Sequence, residues 1–303
     1  MRVKTVLSSP KKSVVISPDD PFVVIGERIN PTNRKKLAEE LGRFEYGRVK
    51  TDALAQIEAG AQMIDVNCGV PGADEPRILK EAVEALQQTI DAPLSIDSSR
   101  LDALEAALPA YKGKALVNSV TGEDRTLDRL LPLVKRYGAA VIGISHDEAG
   151  ISNDPKVRLK AARKIVERAE SFGIRAEDVI IDPIVMPVGA DHKLGRAALE
   201  TARLVRDEIG VNISMGAGNV GFGLPDRPAL TGTLILLGMA NGLTTSIANP
   251  LEPDIARAVL AGDLMMAKDA FGKKWMAYCR KQAAKEQATA AATAAPAPAA
   301  RAP

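Results

Sequence analysis

Pro93-Leu94-Ser95-Ile96-Asp97-Ser98-Ser99 joins a short apolar run to an acid and two hydroxyls, directly ahead of a helical pattern. Such a run suits a buried strand with a polar exit. The arrangement recurs in Val23-Val24-Ile25-Gly26-Glu27, Met63-Ile64-Asp65-Val66-Asn67, Ala115-Leu116-Val117-Asn118 and Val179-Ile180-Ile181-Asp182. In a parallel α/β barrel these strand ends share one rim, so their polar residues converge on the C-terminal face, where barrel enzymes keep their chemistry. Any one of them taken alone serves equally well as an N-cap for the helix that follows. Five such exits with few cations among them argue for a site.

Outward from that stretch the alternation is regular. Strands are expected over 22–27, 63–67, 94–97, 115–118, 140–144, 179–182, 212–215 and 243–247. The segments between them carry apolar residues at helical spacing, as in Leu79, Val83 and Leu86 or Leu159, Ala162 and Val166. Eight strand–helix units, with no dinucleotide glycine fingerprint after the first strand, predict an α/β fold of the (β/α)8 TIM barrel type. Two short strand-like pieces within 1–20 predict an N-terminal β-hairpin extension that caps the bottom of the barrel. The connection 28–48 is too long for an ordinary loop and holds a charged helical piece near 34–41, and a helix over 49–59 is stopped by Gly60. The eighth helix is expected over 253–268, with an extra segment around Trp275. The barrel domain is therefore assigned to 21–283, and 284–303, rich in Ala and Pro without large apolar residues, to a disordered C-terminal tail, with a helical beginning left open.

Composition excludes several classes. Forty Lys and Arg against 38 Asp and Glu leave a net charge of +2, so no overall field steers the chain to nucleic acid or membrane. Aromatics are 3%, too few for a base-stacking surface. No window nears the ~18–20 apolar residues of a membrane span, and a cytoplasmic location is expected. Cys68 and Cys279 stand far apart with no CxxC or Cys/His cluster, which argues against a disulfide framework or a structural zinc site.

Asp97, Asn118 and Asp182 leave three different strands and offer two carboxylates and an amide to a planar ligand. A pterin ring fits: its N3 hydrogen and 2-amino group form a guanidine-like edge for a carboxylate, and an amide both donates and accepts. An ion-pair network with Arg100 or Arg125 is the structural alternative, and a magnesium or calcium site is disfavoured because the acids are dispersed.

The motifs Gly26-Glu27-Arg28-Ile29-Asn30, Asp65-Val66-Asn67, Ser95-Ile96-Asp97-Ser98, Val117-Asn118-Ser119, Ile181-Asp182-Pro183 and Asn219-Val220 with Arg227-Pro228 beyond, in that order over 22–270, resemble the pterin-binding methyltransferases that move methyl between methyltetrahydrofolate and a corrinoid. Dihydropteroate synthase shares the barrel and some motifs, but its Asn-Val-Thr-Pro-Asp-Ser-Phe-like loop and terminal Ser-Arg-Lys-like signature are missing. The resemblance implies that Asp97 and Asn118 hold one pterin edge, Asp182 the 2-amino and N3 side, and Asn219 the N5 atom as the catalytic residue. It extends the substrate-binding set to Glu27, Asn30, Asp65 and Asn67. The implied folate is methyltetrahydrofolate. The chain has no Asp-x-His-x-x-Gly corrinoid motif, so cobalamin is expected on a separate corrinoid protein, and a homodimer is left open. Relatives usually carry Ser where Gly218 and Gly221 stand, a departure expected to loosen the loop around Asn219. His146 could face the same pocket, and Cys68 reads as packing. Alternatives are the folate module of a split methionine synthase, a non-catalytic folate-binding protein and a dihydropteroate synthase.

Overall fold

The computed structural model describes residues 3–294, with side chains through residue 287. A hairpin, β1 (Thr5–Ser8) and β2 (Ser13–Ile16), precedes eight parallel strands: β3 (Val23–Ile29), β4 (Met63–Asn67), β5 (Leu94–Asp97), β6 (Leu116–Thr121), β7 (Ala140–Ile144), β8 (Val179–Asp182), β9 (Asn212–Gly216) and β10 (Thr245–Ala248). They pair in sequence order, and β10 returns to β3 to close the barrel. The connecting helices are α1 (Lys35–Gly42), α2 (Gly47–Glu58), α3 (Glu75–Gln87), α4 (Leu101–Ala107), α5 (Asp124–Arg136), α6 (Pro155–Ser171), α7 (Leu194–Glu208), α8 (Arg227–Ala240) and α9 (Pro253–Met265), with α10 (Lys273–Ala294) beyond. The expected TIM barrel and hairpin are both present.

Local sequence explains the boundaries. Asp154 caps α6 by accepting from Lys156 N at 2.8 Å, with Pro155 in the first turn, where its missing N–H costs nothing. Asp74 does the same for α3 through Arg77 N, and Gly60 at φ 109° ends α2. The first strand runs past its expected end, through Glu27 to Ile29, across a shift in its register with β4. The last starts at Thr245 instead of 243, because Leu243 N donates to Gly238 O at 2.9 Å and so closes the end of α8.

Side-chain alternation divides the apolar residues into two cores. The outer one lies between strands and helices, with Ile64, Ile96, Val117 and Ile181 meeting residues such as Leu79, Leu104 and Leu131. The inner one fills the barrel: Val23, Ile25, Met63, Leu116, Ile142 and Ile180 pack with Leu7, Val14 and Ile16 of the hairpin. The hairpin thus plugs the N-terminal end, as expected. Asn212 Nδ2 ties it to the barrel by donating to Thr5 Oγ1 at 2.9 Å and Ile16 O at 2.8 Å, and Tyr111 OH donates to Ser8 O at 2.9 Å.

The chain divides into two compact units, Met1–Val259 and Leu260–Pro303. In the second, Asp269 accepts from Lys274 N and Trp275 N at 3.1 and 3.0 Å, starting α10. That helix runs on to Ala294, so the Ala-rich first part of the segment assigned as tail is helical, as alanine favours. The remainder, 295–303, lies outside the described residues. Among the described residues no helix is long and apolar enough to cross a membrane.

Candidate functional site

Up to the register shifts in β3 and β6, every second residue of each barrel strand faces inward, and on six strands the last such position is polar or glycine: Glu27, Asn67, Asp97, Asn118, Asp182 and Gly216. Asn67, Asp97 and Asn118 are register neighbours across β4, β5 and β6, while Asp182 stands beyond β7 beside Ile144. Two carboxylates and two amides therefore approach a common space from different sides. All four are half-buried.

Hydrogen bonds fix the first group. Asn67 Nδ2 donates to Asp97 Oδ2 at 2.9 Å, and Asn67 Oδ1 accepts from Gly69 N at 2.9 Å, so the amide is held from both ends. Beneath it, Asn118 Nδ2 donates to Asp65 Oδ1 at 3.1 Å. This bond settles which face Asn118 presents, because its amide hydrogens turn toward Asp65 and its oxygen is left for a donor on the ligand. Asp65 itself is 4% exposed. Burial, and then the Asp97 charge beside it, push its carboxyl well above the ordinary range. Burial raises Asp97 as well, so the pair resists carrying two full negative charges.

Asp182 differs in having the backbone as its partner. Its Oδ1 accepts from Ile184 N at 2.7 Å, and Ile184 adopts φ 63°, a left-handed conformation that a β-branched residue takes at a cost of about 1–3 kcal/mol. Burial lifts the Asp182 carboxyl to about 6, against the backbone N–H groups of Ile184 and Gly216 and the charge of Arg158. A carboxylate poised in this way gains from a ligand that brings two parallel N–H donors.

Asn219 lies on the 3-10 turn Ala217–Gly221 that follows β9 and is exposed. Its Nδ2 lies close over Gly216, 3.2 Å from where a Cβ would stand. Arg227, in the first turn of α8, anchors the turn through Nε to Gly218 O at 2.6 Å, and its charge opposes the burial that raises the Glu27 carboxyl. A Cβ on Gly218 would meet Arg227 Nη2 at 3.1 Å and Glu27 Oε2 at 3.5 Å, and one on Gly221 would meet Arg227 Cγ at 2.9 Å. Neither glycine has positive φ. Glycine at these two positions thus makes room for Arg227.

The expected residues divide accordingly. Asp97, Asn118, Asp182 and Asn67 share the inward rim, Glu27 lies beside Gly218, and Asn219 sits on the turn above. Asp65 lies one layer down and orients Asn118. Asn30 is committed to its own loop, where Oδ1 accepts from Thr32 N at 2.9 Å. Arg100 pairs with Asp102, outside the site. His146 is half-buried, and its Nδ1 has no protein partner among the described residues. Cys68 is fully buried and its thiol is pushed up by that burial, as packing requires. Among the described residues no group of three or more His, Cys, Asp or Glu is placed to hold a metal. Sequence reasoning missed Arg158, which is 1% exposed behind the Asp182 loop. Its signal was present, since 158, 161, 162, 165 and 169 form one stripe of α6 that is otherwise apolar.

The geometry agrees with the comparisons. A family model described as pterin binding enzyme matches residues 26–249. The methylcorrinoid:tetrahydrofolate methyltransferase of Eubacterium limosum is 30% identical over 262 residues, covering 84% of this chain and 94% of the relative. The dihydropteroate synthase of Yersinia pestis aligns with a TM-score of 0.60 at 17% identity, over 86% of this chain and 98% of its own. That of Xanthomonas albilineans, in complex with 7,8-dihydropteroate, gives 0.61 at 22% identity, over 84% and 96%. At such identities the two structures speak for the fold alone. With a family model matched over 26–249, most of the chain, and a relative 30% identical over 84% of it, the chain belongs to the pterin-binding enzyme family.

Proposed function

We propose that this chain transfers a methyl group between a corrinoid carried by a separate protein and N5 of tetrahydrofolate, with the pterin ring held on the C-terminal rim. The observation that carries the reading is the convergence of Asp97, Asn118 and Asp182 at the rim, with the Asn219 amide exposed above them. The name of the Eubacterium limosum relative supports the same chemistry and favours the direction from methylcorrinoid to folate.

In this reading Asp182 accepts from the N3 hydrogen and the 2-amino group, the Asn118 oxygen accepts from a ring N–H, and Asp97, steadied by Asn67, completes that edge. The N5 lone pair takes the methyl carbon, the electron pair of the cobalt–carbon bond stays on cobalt, and the N5 proton leaves to solvent. Positive charge grows on N5 as the new bond forms. The Asn219 oxygen accepts from N5–H at that moment, a contact stronger in the transition state than in the ground state. In the opposite direction the same contact stabilises the protonated N5 that must leave. Phe222, 58% exposed on the loop behind Asn219, belongs to the surface on which the corrinoid protein docks.

The test uses carbon-13 methyl on a corrinoid protein, mixed anaerobically with tetrahydrofolate and this chain. Label should appear on N5 at a rate proportional to the amount of this chain. Folate binding with all label left on cobalt would make the chain a non-catalytic folate-binding protein.

A further inference from the structure

Arg158 is 1% exposed, yet among the described residues no carboxylate lies within ion-pair distance of it, and Asp182 acts on it through charge alone. Its Nη1 donates to the carbonyls of Pro183 and Ile184, each at 2.8 Å, and its Nε donates to Ser152 O at 2.6 Å. Nη2 is buried with no protein acceptor among the described residues. Stability alone is poorly served by this arrangement. Burial disfavours the guanidinium charge, and a methionine would fill similar volume on the apolar stripe without that cost. What the cation does achieve is geometric: one nitrogen holds two consecutive carbonyls, which fixes both peptide planes on either side of the left-handed Ile184. The Ile184 N–H is thereby aimed at Asp182 Oδ1, 2.7 Å away.

We propose that Arg158 is the positioning residue for Asp182: by clamping the Pro183 and Ile184 carbonyls it fixes the Ile184 turn and aims the Asp182 carboxylate at the pterin. It also joins the loop after β7, through Ser152, to the loop after β8. Arg158 touches no ligand in this account and acts only through Asp182. The inference rests on the reading of the rim as a pterin site.

A double-mutant cycle tests it. Tetrahydrofolate affinity is measured by calorimetry for the full chain and for Arg158→Met, Asp182→Asn and the pair together, with thermal unfolding alongside. Arg158→Met should weaken binding by about ten-fold in the parent and by less than about two-fold once Asp182 is asparagine, because the two act as one unit. Arg158→Lys, which keeps the charge but not the planar fork, should fall between. The lysine variant in both backgrounds carries the same cycle should Arg158→Met not fold. Equal losses in the two backgrounds, or no loss in the first, would overturn the positioning role. Asp182→Asn binding as well as the parent would overturn the pterin reading and the inference together.

Discussion

Replacing Asp182 by asparagine should move binding and stability in opposite directions, and the pH dependence of the second effect identifies its cause. In the folded chain the carboxyl protonates at about 6, raised from 3.8. Between those values the folded chain keeps a proton that the unfolded chain has released. The burial penalty is therefore absent below about pH 4, grows as pH rises, and is complete above about pH 6. At 1.36 kcal/mol per pH unit it amounts to about 3 kcal/mol, trimmed to ~2 because the side chain opens onto the rim. Asparagine removes that penalty but leaves amide hydrogens short of acceptors, at a cost of ~1 kcal/mol. The variant should thus be more stable by ~1 kcal/mol at pH 8, or about 1–2 °C in Tm, and less stable by a similar amount at pH 4. Binding of tetrahydrofolate should weaken at pH 8 by ~1–3 kcal/mol, since a donor now faces the donors of the ring. Differential scanning fluorimetry at pH 4, 6 and 8 and calorimetry at pH 8 give both numbers. A Tm difference that ignores pH, with unchanged affinity, would refute the account of Asp182 as a strained, ligand-directed carboxylate.

The parent should itself lose folate affinity as pH falls through about 6, because protonated Asp182 accepts less well; titrations from pH 8 to 5 check this. Gly221→Ala places a methyl 2.9 Å from Arg227 Cγ and should cost ~1–3 kcal/mol in thermal or urea unfolding, a loss that a merely flexible loop would not show. Phe222→Ala should slow transfer from a corrinoid protein while leaving folate affinity intact, read by steady-state rates against corrinoid-protein concentration. Leu7→Ala, in the fully buried plug of the barrel, should cost ~2–5 kcal/mol with little change in folate affinity at temperatures where the chain is folded.

The strands were legible because all are short apolar runs and five of them end on a polar exit, and the inward alternation carried Asp97, Asn118 and Asp182 to one rim without knowledge of any loop. The hairpin could be read for the same reason, since Leu7, Val14 and Ile16 had to be covered somewhere. What could not be read depends on partners distant in sequence. Asp65, two residues before Asn67 on the same face of β4, is engaged by Asn118 from β6. Gly218 and Gly221 suggested backbone freedom, and only the approach of Arg227 gives them a packing reason. Arg158 stands on the apolar stripe of α6, and its partners, the carbonyls of Pro183 and Ile184, lie 25 and 26 residues further along the chain.

Single-turnover methyl transfer at saturating tetrahydrofolate, followed anaerobically by the absorbance of the corrinoid, tests the central claim most directly when the parent is compared with Asn219→Ala. Loss of a hydrogen bond that matters only as charge develops on N5 should lower the rate by about 10²- to 10³-fold while folate affinity, held by Asp97, Asn118 and Asp182, changes much less. An unchanged single-turnover rate in the variant, with weaker folate binding, would contradict the account by reducing Asn219 to a binding contact.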